Sequence, residues 1–318
     1  MTERRWVVVP GAVLIQLCLG AIYAWSVFTP ALRDAGWSKA ETQIVFSVGL
    51  ATFAVVMVAA GRRLEDWGPR RLAVTGGLTL GAGYTLAGLG GGTDFWVVLV
   101  GVGLIGGAGI GLAYVVPIAV GMRWFPDHKG FITGAAVAGF GFGALGWVKL
   151  AGEWGNLIDD RGLDTTFVIY GVAFAVLVLA GSSVMRMPPA GWAPEGFTPP
   201  VAAGSGGQEF TPREMLRTPQ FHLISLTFAV SAGAGLMAIG LMKLYPIEAL
   251  TDNGIGEDEA SAIAGTAMAV FFSLANGIGR LVWGTLSDRL GRKQSVVLMT
   301  ASQGLFLLAF TSMAGNEY

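Results

Sequence analysis

The chain has 318 residues, 53% of them apolar and 13% charged, with a formal net charge of −1 and a mean hydropathy of +0.62. This balance excludes a soluble domain folded round one core and a strongly basic nucleic-acid binder, and it fits an all-α polytopic membrane protein. The 49 glycines suit helices that approach closely in lipid, while one cysteine, Cys18, and two histidines at segment edges, His128 and His222, offer no disulfide framework and no metal site.

Apolar runs long enough to cross a bilayer, about 20 residues at ~1.5 Å each, fall at 7–29, 43–61, 71–92, 95–120, 131–150, 165–186, 220–247, 261–284 and 294–314. The first follows "MTERR". It is too long for a signal peptide, is anchored by Arg4 and Arg5, and is read as an uncleaved helix. With the N-terminus in the cytoplasm, fourteen cations fall inside, among them Arg62, Arg63, Arg70, Arg71, Arg123, Lys129, Arg186 and Arg289. Only Arg33, Lys39 and Arg161 fall outside, and acidic clusters such as Asp159-Asp160 and Glu257-Asp258-Glu259 lie in the outer loops. The positive-inside rule therefore predicts a multi-pass protein of the cell's inner (plasma) membrane with a cytoplasmic N-terminus.

The loop after the second span reads "GRRLEDWGPRR" (61–71), with Asp66, Arg70 and Arg71 as its candidate functional residues. In the fourth span, "GVGLIGGAGIGLAYVVP" (101–117) contains GxGxxG. A dinucleotide site would need a preceding strand and a soluble crevice, so Gly103, Gly107 and Gly111 are expected to make close helix contacts instead. Residues 187–219 hold seven of the thirteen prolines and no apolar run. They are expected to be a cytoplasmic loop joining a six-helix bundle, 1–186, to the first three helices of a second bundle, 220–318.

The eighth span ends in "NGIGRLVWGTLSDRLGR" (276–292). Three cations remain within spans: Lys149, Lys243 and Arg280. Lys149 and Lys243 lie near outer helix ends, where a lysine either snorkels to the interface or reaches substrate. Arg280 lies eight residues before Asp288, about 12 Å deep by helical rise, and no carboxylate is left in a span to pair with it. A buried guanidinium without an acidic partner is suited to bind an anion, bidentately if that anion is a carboxylate. Tyr114, nine residues before Arg123, sits at a similar depth, and Asn276 is one turn from Arg280. Tyr114 is read either as a donor to the anion or as ordinary helix packing, and Asn276 either as orienting Arg280 or as bonding a neighbouring helix.

The loop "GTLSDRLGRK" (284–293), with Asp288, Arg289 and Arg292, repeats the first loop with its leading glycine 223 residues further on. Two such loops at equivalent places resemble the signature loops of the major facilitator superfamily, whose halves are parallel six-helix repeats. The resemblance implies that these charges hold the cytoplasmic side shut in one state. By the same offset Tyr318 matches a residue near 95, so the chain is expected to be C-terminally truncated, lacking helices 10 to 12, or to be a nine-helix design. Asp288 is expected to meet the free N–H groups at the start of the fifth helix, near Gly130. Asp66 would have its partner on helix 11.

"GAIYAWSVF" (20–28), "RWFPDHKG" (123–130), "AGFGFG" (138–143) and "EMLRTPQF" (214–221), with the eighth-span motif, resemble the oxalate/formate antiporter family within that superfamily. The resemblance implies that Arg280 binds a substrate carboxylate and that Tyr23 and Tyr114 line the same cavity. Two positions depart from the family's oxalate exchanger, Ile22 replacing a glutamine and Phe140 a tyrosine. The expected function is a monomeric secondary carrier of small carboxylates such as formate, lactate, pyruvate or oxalate, working by alternating access. It would have the lipid bilayer as its medium, no nucleic-acid partner, no cofactor and no enzymatic activity. The alternatives are a proton-coupled symporter of another small solute and a non-transporting membrane sensor of the same fold.

Overall fold

The computed structural model describes residues 5–152, 155–189, 191–194, 196–197, 210–241 and 244–313. No strand occurs among them. Nine long helices among the described residues are labelled α1 (Val8–Val27), α2 (Lys39–Trp67), α3 (Pro69–Leu89), α4 (Phe95–Trp124), α5 (Lys129–Ala151), α6 (Leu157–Ser182), α7 (Pro219–Leu241), α8 (Ser273–Leu290) and α9 (Arg292–Met313). Short helices stand at Thr29–Asp34, Pro212–Met215, Leu244–Asp252 and Glu257–Thr266. Among the described residues six helices, α1 to α6, are long and apolar enough to cross a membrane.

Local chemistry sets the element ends. Ser38 caps α2 in a reciprocal box with Glu41, the Glu41 N–H bonding Ser38 Oγ at 3.1 Å and the Ser38 N–H bonding the Glu41 carboxylate at 2.7 Å. At the other end α2 runs on through the charged residues to Trp67, beyond the expected limit at 61. Hydropathy fades there, but a helix in water needs only its own hydrogen bonds. Gly68 stops it with φ +79°, and Pro69 opens α3 at the first turn, where a missing N–H costs nothing. Gly291, the matching glycine of the second loop, also takes positive φ, +85°.

Two spans are not uniform α-helix. α1 tightens to 3-10 geometry over Gly20–Val27. In α4 the segment Leu99–Gly106, which holds the GxGxxG run, is wound as π-helix. The expected glycine contact is present: a Cβ on Gly107 would lie 2.6 Å from the Gly49 carbonyl oxygen of α2, and one on Gly111 would lie 2.8 Å from that of Phe53. These positions let two backbones touch.

The chain divides into two compact units. The first comprises Met1–Pro194 with Ala269–Leu290, and within it α3 packs on α6, α2 on α4, α1 on α5 and α5 on α8. Its core holds Phe28, Trp147, Phe167, Tyr170 and Phe174 in tilted and edge-on ring contacts, with the Tyr170 hydroxyl donating to the Trp147 carbonyl. The second comprises Glu195–Met268 with Gly291–Tyr318 and contains α7 and α9, joined where Gln303 Nε2 donates to the Ser231 carbonyl at 2.8 Å.

Candidate functional site

The first unit contains the whole predicted anion site. Arg280, half-buried on α8, donates from Nε to Asn276 Oδ1 at 2.8 Å. The asparagine thus fixes the guanidinium through Nε and points its terminal nitrogens toward other partners. No carboxylate lies within ion-pair distance of Arg280 among the described residues.

Around this cation stands a cage of aromatic rings. Phe140 of α5, buried, is its hub: the Tyr23 ring of α1 meets it edge-on at 5.1 Å, the Tyr114 ring of α4 at 5.3 Å, and the Phe53 ring of α2 stacks at 6.4 Å. Phe53 also meets Tyr114 at 5.1 Å, and Phe272, just before α8, meets Tyr23 at 6.5 Å. The Arg280 Cζ sits 5.8 Å from the Phe140 ring centre, within cation–π range. Tyr114 interacts with Arg280 through its hydroxyl and lies close enough to Tyr23 for the two to interact electrostatically. Four predicted residues, Arg280, Asn276, Tyr23 and Tyr114, are thereby brought together. Phe53 was not foreseen, since a phenylalanine in an apolar span carries no signal of its own.

Of the two departures from the oxalate pattern, only Phe140 sits in the cage. Ile22 lines a small apolar cavity with Trp25, Val45, Gly49, Tyr84 and Ile110. Among the other span cations, Lys149 is buried in the last turn of α5, and Lys243 lies outside the described residues.

Asp288 meets the start of α5. Its carboxylate accepts from the Gly130 N–H at 3.0 Å and the Phe131 N–H at 2.9 Å, satisfying donors that a helix start leaves free and placing charge at the positive end of its dipole. Glycine is required where the helices cross: a Cβ on Gly130 would collide with the Gly284 carbonyl and with Asp288 itself. In the first loop Asp66, Arg70 and Arg71 are exposed. The paired carboxylate there is Glu65, which bonds Arg123 at 2.9 Å. The 223-residue offset that aligns Gly61 with Gly284 also aligns Glu65, not Asp66, with Asp288, a signal legible in the sequence. Arg289 and Arg292 are exposed.

The "RWFPDHKG" stretch binds three elements at the same end of the first unit. Arg123 reaches α2, Trp124 Nε1 donates to the Arg186 carbonyl beyond α6 at 2.7 Å, and Phe125 lies under the Arg5 guanidinium at 4.7 Å. Asp127 pairs with Arg5 at 3.1 Å and contacts His128 Nδ1 at 3.0 Å.

Comparison with known proteins gives the family of the chain. The family model described as Major Facilitator Superfamily matches residues 11–317. Similar chains include the uncharacterized MFS-type transporter YhjX of Escherichia coli, 27% identical over 98% of this chain and 72% of the relative. The oxalate:formate antiporter of Oxalobacter formigenes is 25% identical over 98% of this chain and 70% of its own length. The apicoplast pyruvate carrier 1 of Toxoplasma gondii is 26% identical over 98% and 73%.

Proposed function

The chain belongs to the Major Facilitator Superfamily, a family of multi-pass membrane transporters, and on that premise we propose that it carries small carboxylates, monocarboxylates ahead of oxalate. The carrying observation is Arg280: a cation fixed by Asn276, facing Tyr114 and Phe140, with no acidic partner among the described residues. One carboxylate would bridge the two terminal guanidinium nitrogens, with the Tyr114 hydroxyl turning from the guanidinium to donate to the carboxylate. The rest of the substrate would lie against Phe140 and Phe53, which offer ring faces and no hydrogen-bond donor. A second carboxylate placed there would lose its hydration without replacement, at a cost of at least ~1–3 kcal/mol. Relatives named for oxalate and formate and for pyruvate support the substrate class.

Transport would proceed by alternating access. In the state described, Asp288 holds the ends of α5 and α8 together, and the same contact would open when the site turns to that side. The Asp288 end would face the cytoplasm, with the protein acting as a monomer in the plasma membrane and 1–186 forming a six-helix bundle.

The test is uptake of radiolabelled pyruvate into liposomes holding the full-length protein, challenged with excess lactate, formate or oxalate. Monocarboxylates should displace the label better than oxalate. Oxalate as the best competitor would refute the argument from Phe140, and uptake of no carboxylate would refute the anion reading itself.

A further inference from the structure

One buried polar side chain lies beside the cage without touching Arg280. Gln16, on α1 seven residues before Tyr23, is fully buried, and its Nε2 donates to the backbone carbonyl of Tyr114 at 3.3 Å. Its Oε1 is buried and makes no hydrogen bond among the described residues. An apolar side chain of the same size would fill this space without leaving a polar atom unpaired, so the amide is costly unless its donor is used.

The place where it donates is distinctive. Pro117 lies inside α4 and has no N–H, so the turn from Ala113 to Pro117 lacks one of its hydrogen bonds. Tyr114 sits in that turn. A helix missing a bond there is free to bend, and bending would swing the Tyr114 ring relative to Arg280. Gln16 ties the turn to α1, and α5 closes on the same spot: a Cβ on Gly139 would lie 2.8 Å from the Val13 carbonyl and 3.2 Å from Gln16 Cβ. Gly139 also precedes Phe140, the hub of the cage.

We infer that Gln16 is a positioning residue, clamping the Pro117 turn of α4 to α1 so that the Tyr114 hydroxyl stays in reach of a carboxylate held by Arg280. The inference rests on the proposed carboxylate site. It adds that the site's geometry depends on an amide that never touches the substrate.

The test is a double-mutant cycle read by pyruvate binding to the purified full-length protein, using Gln16→Met, Tyr114→Phe and the pair. Gln16→Met keeps the volume and removes the donor, and should weaken binding about fivefold, the worth of one positioned hydrogen bond. Tyr114→Phe should weaken it by a similar factor, and the double variant no further than either alone. Gln16→Glu, assayed at acid pH where its neutral carboxyl keeps an O–H donor, should bind within about twofold of the parent; this variant also carries the test if Gln16→Met does not insert. Additive losses in the cycle, or unchanged binding by Gln16→Met, would overturn the inference while leaving the site intact. A parent that binds no carboxylate would instead overturn the reading beneath it.

Discussion

Removing the Asp288 carboxylate should release the α5–α8 contact by an amount the structure lets us work out. Two N–H groups at the start of α5, those of Gly130 and Phe131, bond its oxygens at 3.0 and 2.9 Å. Loss of a helix cap costs about 0.5–2 kcal/mol. The dipole interaction adds ~0.3–1 kcal/mol at an exposed position, and Asp288 is exposed. A net of about 1–2 kcal/mol corresponds to roughly a five- to thirtyfold change in population. The assay is maleimide labelling of Thr285→Cys, one turn before Asp288 on α8, with Cys18, which is buried, as the low background. Asp288→Ala should raise the labelling rate by that factor. Asp288→Asn, which keeps one acceptor oxygen and loses the charge, should fall between. Gly130→Ala should mimic Asp288→Ala, because its methyl would displace both Asp288 and the Gly284 carbonyl. Equal labelling rates in all four proteins would refute the reasoning.

Two other outcomes follow from the same geometry. Burial pulls the Asp127 carboxyl upward, but hydrogen bonds from its own backbone, His128 and Arg5, with the Arg5 charge, hold it below the ordinary carboxylate value. A depressed folded value stabilises the protein above the unfolded pKa of ~3.9 and is lost as pH falls through the folded value; thermal melts should therefore show the parent losing its advantage over Asp127→Asn below about pH 4, and a gap independent of pH would count against the pairing. Phe140→Tyr adds a hydroxyl to the hub of the cage and should improve oxalate competition about fivefold, one hydrogen bond's worth; unchanged competition would show that the ring edge does not face the substrate.

The helices were legible because nothing in a bilayer competes with the apolar signal, and Arg280 was legible because a lone guanidinium in a span violates that signal. Asp288 could be placed on the start of α5 from the signature-loop resemblance taken together with helix-end chemistry. Gln16 was not legible. A glutamine in a span has the same appearance whether it bonds a neighbour or lines a cavity, and only the fold puts its amide on the Tyr114 carbonyl. Ile22 and Phe140 looked equivalent in sequence, yet they line different spaces, Ile22 the small apolar cavity and Phe140 the aromatic cage. The π-helical winding at Leu99–Gly106 also left no trace beyond glycines that helix contact already explained.

The central claim is that Arg280 holds the substrate carboxylate, and equilibrium binding of pyruvate to the full-length protein and its Arg280 variants tests it most directly. Removing one partner of a desolvated charge pair costs about 2–5 kcal/mol, so Arg280→Gln should weaken binding at least thirtyfold, on the order of 1.4 kcal/mol per decade. Arg280→Lys keeps the charge but loses the planar pair of donors that Asn276 orients, and should fall between the two. Binding by Arg280→Gln within twofold of the parent, in protein that inserts and melts normally, would contradict the account.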